Sequence, residues 1–306
     1  MRIIFFTKII ELLQNKNFFT FRKFINYIIG KKTERSFVNP EHFNGNDGET
    51  VSGDSKMHNI YKNHDGYVCN KWEQYLEIYE RCFSHYSLPV SVLEIGIQNG
   101  GFLEILEKYL PKGSKITGVD IDKKCASLEF SEAITFIEGN ATDKNFIDKN
   151  FGNSKFDVII DDASHICEDV IATFNLMFDK LNYGGLYIIE DCHTSYWDDK
   201  FNGGFRRKNS IMEYFKNLTD AMNFYYINPN ETSKKTISHL GKMKSDIACI
   251  SFYDSVIIIE KYVKPKNQPF RNYFSGQKDL VVQKQDMINA SCLKCDKNTK
   301  FEKFLK

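Results

Sequence analysis

Two acidic pairs, Asp161-Asp162 and Glu190-Asp191, close the short β-type runs at 156–161 and 186–190. In an open parallel sheet the carboxyl ends of neighbouring strands share one crevice, so four carboxylates are expected to meet there. Like charges so placed repel and call for a counter-charge, and hard oxygen donors suit Mg²⁺, Mn²⁺ or Ca²⁺ better than zinc. The bland counterpart is a set of helix N-caps and solvated strand ends, because acids commonly open helices at such positions. His165 follows Asp162 by three residues, and an imidazole titrating near neutrality suits removal of a hydroxyl proton. It is the preferred general base; His193, beside the second pair, is the other candidate.

A second constellation could hold a nucleoside. Glu94-Ile95-Gly96-Ile97-Gln98-Asn99-Gly100-Gly101 follows the first β-type run, and its glycines permit a tight turn and close approach of a ligand to the backbone. The spacing departs from G-x-G-x-x-G, which disfavours a pyrophosphate relative to an uncharged nucleoside. Asp120 ends the next run, placed to accept hydrogen bonds from both ribose hydroxyls. The stretch Glu138-Gly139-Asn140-Ala141-Thr142-Asp143 sets Asn140 and Ala141 beside an adenine edge. Each signal alone occurs in ligand-free α/β folds; their order and spacing together carry the reading.

The elements that must position these groups alternate. Residues 90–95, 116–120, 134–138, 156–161 and 186–190 read as strands, and 102–110 and 170–181 as helices, the latter followed by Gly184 and Gly185. Short β-rich runs separated by helical ones predict a doubly wound, mostly parallel sheet with helices on both faces. A lead-in helix over 72–86, with apolar residues at Trp72, Tyr75, Leu76, Tyr79, Phe83 and Tyr86, is expected to pack beside it. Residues 191–246 are long for a connection, contain a helical stretch around 210–224, and are read as a lid-like insertion. Runs at 247–253 and 255–262 predict an antiparallel hairpin at the sheet edge. The expected organisation is therefore an N-terminal extension over 1–55, a catalytic domain over 56–262 and a tail over 263–306.

Net charge is +1, yet residues 1–36 carry eight basic side chains against two acidic ones and 261–306 carry eleven against four. The middle is acidic, so nucleic acid is not its natural partner. Lys8 and Glu11 interrupt the apolar opening run, which argues against a secretory signal, and no apolar run is long enough for a bilayer-spanning helix. The aromatic, apolar and basic segment up to Ile29 is read as a helix packed on its own protein; the alternatives are a contact with the inner face of the membrane or with another copy in a homo-oligomer. The cysteines read as thiols of a reducing, cytoplasmic compartment. Cys292 and Cys295 have the gap of a zinc half-site, but no second pair completes it.

Taken together, the runs Val92-Leu93-Glu94-Ile95-Gly96, Asp161-Asp162-Ala163-Ser164-His165, Glu190-Asp191-Cys192-His193-Thr194-Ser195-Tyr196-Trp197 and Phe252-Tyr253-Asp254-Ser255 resemble the class I S-adenosylmethionine-dependent methyltransferases. Within them they resemble the metal-dependent sugar O-methyltransferases that act on macrolides and polysaccharides. The resemblance spans roughly residues 56–262. It implies a Rossmann-like fold, S-adenosylmethionine bound through Glu94, Gly96, Gly100, Gly101, Asp120, Asn140 and Ala141, and Asp161 turned toward that cofactor. It also implies Asp162, Glu190 and Asp191 as ligands of a divalent metal, Mg²⁺ first, with Tyr196 and Trp197 against the sugar ring. Two departures stand out: Asn140 where relatives usually have Asp, and Tyr183 in place of a Pro-Gly-Gly turn. Other readings are a methyltransferase for a small non-sugar natural product, a nucleotide-binding oxidoreductase, and a non-catalytic assembly subunit.

Overall fold

The structure, a computed structural model, describes residues 55–270 apart from Asp199, Pro229, Glu231, 241–245 and Pro269, together with short strands at Tyr273–Phe274 and Ser291–Cys292. The readings made of residues 1–54, of Cys295 and of most of the basic tail lie outside the described residues.

Seven strands form one sheet: β1 Ser91–Ile95, β2 Lys115–Asp120, β3 Ile134–Glu138, β4 Phe156–Asp161, β5 Leu181–Ile189, β6 Ile247–Phe252 and β7 Ile257–Lys261. Their order is β3-β2-β1-β4-β5-β7-β6. The first five are parallel, while β7 runs antiparallel to both β5 and β6. The expected hairpin is therefore present, with the later strand inside and β6 at the edge. The order reverses between β1 and β4, the place where open α/β sheets hold ligands.

Among the described residues the helices are α1 Lys56–Lys62, α2 Glu73–Phe83, α3 Gly101–Tyr109, α4 Lys144–Phe151, α5 Cys167–Met177, α6 Ile211–Met222 and α7 Lys234–Leu240. The lead-in helix α2 is shorter than its apolar periodicity: Trp72 takes the N-cap position in extended backbone and Ser84 the C-cap. Sequence reading passed over α4, whose start is fixed by the Asp143 side chain accepting from the Asn145 amide. Helix α5 begins three residues earlier than its apolar run, with Glu168 and Asp169 in a first turn that favours negative charge. Gly184 and Gly185 do not follow that helix directly but lie within β5.

Sheet pleat sorts the strand residues between two cores. Val92, Val158, Ile160 and Ile188 face one side, under α1, α2 and α3. Leu93, Ile95, Ile159, Tyr187 and Ile189 face the other, against α4, α5 and α6. Helix α6 belongs to that second core through Ile211, Phe215 and Leu218, all fully buried. That part of the stretch read as a lid is thus core; Ser210 caps it by accepting from the Glu213 amide.

Candidate active site

Register places the strand ends level. Ile95 pairs with both Val119 and Asp161, and Asp161 pairs with Ile189, so Gly96, Asp120, Asp162 and Glu190 leave the sheet along one edge. They surround a crevice of about 1100 Å³ lined also by Asn140, Ala141, Asp161, His165, Asp191 and His193. Gly96 has a φ of 91°, and a Cβ there would meet the Asp162 carbonyl oxygen at 2.3 Å. Only glycine lets β1 and β4 converge so closely at the switch point.

The nucleoside half follows the sequence reading in part. Asp120 Oδ2 accepts from the Gln98 amide at 2.9 Å and Oδ1 from the Asp122 amide at 2.8 Å, which presents its carboxylate at the crevice rim. Asn140 Oδ1 accepts from the amide and hydroxyl of Thr142, closing a local turn. Gly100 and Gly101 stand away from the crevice lining. The first opens α3 in left-handed backbone against Phe130, and the second sits under the backbone of Tyr67 and Val68. Glu94 is buried beneath the loop, and its Oε2 has no hydrogen-bond partner.

The acidic half contains a group that the motifs did not reveal. Lys71, one residue before the cap of α2, inserts its ammonium 2.6 Å from Asp162 Oδ2, 2.7 Å from Glu190 Oε1 and 3.8 Å from Glu94 Oε1. Pleat parity explains the grouping. Glu94, Asp162 and Glu190 continue the face of Val92, Ile160 and Ile188, the face that α2 covers. Tyr79 of α2 adds its hydroxyl to Glu190. Tyr75, one turn earlier, donates to Asp191 Oδ1 at 2.8 Å and receives the Asp191 amide at 3.1 Å. The lead-in helix was read as packing alone, yet Lys71, Trp72, Tyr75 and Tyr79 give it a polar edge at helical spacing, a signal legible in retrospect.

Charge balance in this cluster leaves an excess of acid. Burial, with Asp162 next, pushes Glu190 up to about 8 against the pull of Lys71. Burial pushes Glu94 up to about 8 as well, again opposed by Lys71. Burial disfavours the Lys71 ammonium, but Glu190, Asp162 and Glu94 more than offset it and hold the amine charged, well above its ordinary value. Asp161 lies on the other face of the sheet, where it still lines the crevice, with the Tyr187 hydroxyl 3.4 Å from its Oδ2, and burial raises it to about 7.

Asp162, His165 and Asp191 each offer one ligand atom, and these lie within 4.8 Å of one another. His165 Nε2 is 3.5 Å from Asp191 Oδ2 and 3.8 Å from Asp162 Oδ1. His165 and Asp191 both adopt left-handed backbone, with φ of 55° and 53°, a strained conformation that the surrounding fold must hold in place. Glu190 lies beside this trio but turns Oε1 to Lys71 and Tyr79. His193 is fixed differently, its Nδ1 being 2.6 Å from Ser255 Oγ, which gives the Phe252-Tyr253-Asp254-Ser255 run a positioning role. Tyr196 and Trp197 are about half exposed and lie outside the crevice lining.

Comparison with known proteins agrees with this geometry. Residues 67–202 match the family of FtsJ-like methyltransferases. The chain is 32% identical over 197 residues to mycinamicin VI 2''-O-methyltransferase of Micromonospora griseorubida, covering 60% of this chain and 47% of that protein. It is 35% identical over 211 residues to demethylmacrocin O-methyltransferase of Streptomyces fradiae, covering 64% and 51%. The chain thus spans about half the length of the curated relatives it matches. Among solved structures, the MycE methyltransferase in complex with Mg, SAH and mycinamycin VI superposes with a TM-score of 0.56 at 27% identity, over 67% of this chain and 53% of that one. Over residues 67–202 the sequence match, the sheet order and the switch-point crevice agree in a likeness to the FtsJ-like methyltransferases.

Proposed function

We propose that the protein transfers a methyl group from S-adenosylmethionine to a hydroxyl of a sugar or saccharide-containing acceptor, with a divalent cation, Mg²⁺ first, at the acidic cluster. The observation that carries this reading is that one crevice joins the ribose-type acid Asp120 to the Asp162, His165 and Asp191 trio. The sugar acceptor is supported by relatives whose names specify sugar hydroxyls.

The residues fit both groups. Gly96, Asp120, Asn140 and Ala141 would hold the nucleoside, and Asp161 faces the same crevice. The partnerless Glu94 Oε2 supplies an acceptor for a cationic amine at the base of the loop. The hard donors Asp162 and Asp191, with Glu190 beside them, suit Mg²⁺, and a cation would relieve the carboxyls that burial first, and neighbouring acids next, push up at Glu94 and Glu190. When bound, the cation would polarise the acceptor hydroxyl and lower its pKa.

His165 Nε2 takes the hydroxyl proton, and Asp162 Oδ1 and Asp191 Oδ2, 3.8 and 3.5 Å from that nitrogen, stabilise the imidazolium that forms. The acceptor oxygen then forms its bond to the methyl carbon as the sulfonium–carbon bond breaks, and the electron pair returns to sulfur. Alignment of oxygen and methyl about 3 Å apart supplies much of the acceleration. His193, whose Nδ1 is engaged by Ser255, orients the acceptor. Cys69, Cys82, Cys125, Cys167, Cys192 and Cys249 are free thiols, which supports a reducing, cytoplasmic setting. A role in polysaccharide biosynthesis and self-association complete the proposal. Among the described residues no helix is long and apolar enough to cross a membrane.

The test combines thermal shift with S-adenosylhomocysteine, with and without Mg²⁺, and labelled methyl transfer to glycosides. Stabilisation by both ligands and EDTA-sensitive labelling are expected. Transfer indifferent to EDTA and to Asp162→Ala would remove the metal role; binding of NAD in place of S-adenosylhomocysteine would remove the activity.

A further inference from the structure

The chain has two tryptophans, Trp72 and Trp197, and both flank His193. The Trp72 ring lies 5.8 Å from the imidazole at 84°, and the Trp197 ring lies 4.9 Å from it at 71°. Both indoles therefore stand nearly perpendicular to the His193 ring, and both are about half exposed, at 55% and 47%. They come from distant places: Trp72 caps α2 on one side of the sheet, while Trp197 follows the 3₁₀ turn Cys192–Tyr196 after β5.

Each indole is held. Trp72 donates its Nε1–H to Asp191 Oδ1 at 3.1 Å, and Trp197 rests on Phe201 with ring centres 5.5 Å apart. Leaving two such surfaces half in water forfeits much of what their burial would contribute. The setting between them is not apolar, since His193, Asp191 and Ser255 supply donors and acceptors. An apolar face bordered by polar groups matches a pyranose, which offers a C–H face and a rim of hydroxyls, better than it matches a lipid chain.

We propose that Trp72 is a specificity-determining residue, forming with Trp197 an aromatic cradle that stacks the acceptor sugar and delivers one hydroxyl toward His165. This rests on the sugar-methylation reading above and deepens it. The sequence pointed only to the Trp197 side; the second wall comes from the segment preceding the sheet.

The chain's two tryptophans make the site spectroscopically isolated. In the full-length Trp197→Phe variant all indole emission comes from Trp72, and methyl α-L-rhamnopyranoside is the probe, added to protein saturated with S-adenosylhomocysteine and Mg²⁺. A saturable change in that emission is expected. Trp72→Leu should raise the KM for the same glycoside about tenfold, the scale of an interface tryptophan, with kcat nearly unchanged. Trp72→Phe, which keeps a ring but loses the N–H, should fall between wild type and Trp72→Leu.

If Trp72 serves only to hold Asp191, the Phe and Leu variants will weaken Mg²⁺ binding alike, measured by calorimetry, and leave the glycoside KM unmoved; that overturns the proposal. Silence of Trp72 while Trp197 responds in the converse Trp72→Phe protein also overturns it, with sugar methylation intact. Silence of both indoles to the glycoside alongside a response and methylation with catechol overturns the sugar reading itself.

Discussion

The Lys71 ammonium lies 2.7 Å from Glu190 Oε1, at a site where both side chains are almost fully buried. Removing one partner of such a pair strands the other charge, at a cost of about 3–5 kcal/mol. Lys71→Met should therefore lower stability to denaturant by that order when measured in EDTA above about pH 8, where Glu190 is ionised. Adding Glu190→Gln should restore part of the loss, and Mg²⁺ should stabilise Lys71→Met more than wild type because it replaces the missing positive charge. A Lys71→Met protein as stable as the parent would mean that Glu190 is neutral in the native state.

His165 occupies left-handed backbone, so Asn is a better test than Ala, because it tolerates that conformation while lacking the base. His165→Asn is expected to reduce methyl transfer by about 10²–10⁴-fold and to leave S-adenosylhomocysteine affinity in calorimetry unchanged. A larger loss from His193→Gln than from His165→Asn would transfer the role of base to His193.

Asp120 accepts two backbone amides and faces the crevice with the rest of its carboxylate. Asp120→Asn keeps the shape but removes the charge and one acceptor. Hydrogen bonds to a charged group contribute about 1.5–3 kcal/mol, so affinity for S-adenosylhomocysteine should fall roughly 10- to 100-fold. Equal affinity in the two proteins would remove Asp120 from the cofactor site.

Burial pushes the thiols of Cys69 and Cys82 up to about 12, above the ordinary value of 9.0. Both are protonated near pH 8, and native protein should leave them unmodified by a thiolate-directed reagent that labels them readily in denaturant. A folded-state pKa raised above the unfolded one adds stability that is complete below pH 9 and is lost as pH rises from about 9 toward 12. Denaturant midpoints measured across that range should fall. Rapid native labelling of Cys82 would show that α2 opens readily from the sheet.

Much of the fold was legible because strand alternation and glycine placement are local properties. The five parallel runs, Gly96 at the switch point, Asp120 at the end of β2 and the acidic pairs at the ends of β4 and β5 follow from period-2 patterning and from where parallel strands must end. Helix α4 escaped notice because its short apolar face, Ile147 and Phe151, carries little periodic signal. The sequence by itself determined that four acids and two histidines would gather at one edge. It did not determine what balances them. That was decided by tertiary packing: α2 covers the same sheet face to which Glu94, Asp162 and Glu190 point, so Lys71, Tyr75 and Tyr79, which carry no motif, become the acids' partners. Chain neighbours follow from patterning, but a buried charge finds its partner through space, and only the folded sheet brings residue 71 within 3 Å of residue 190.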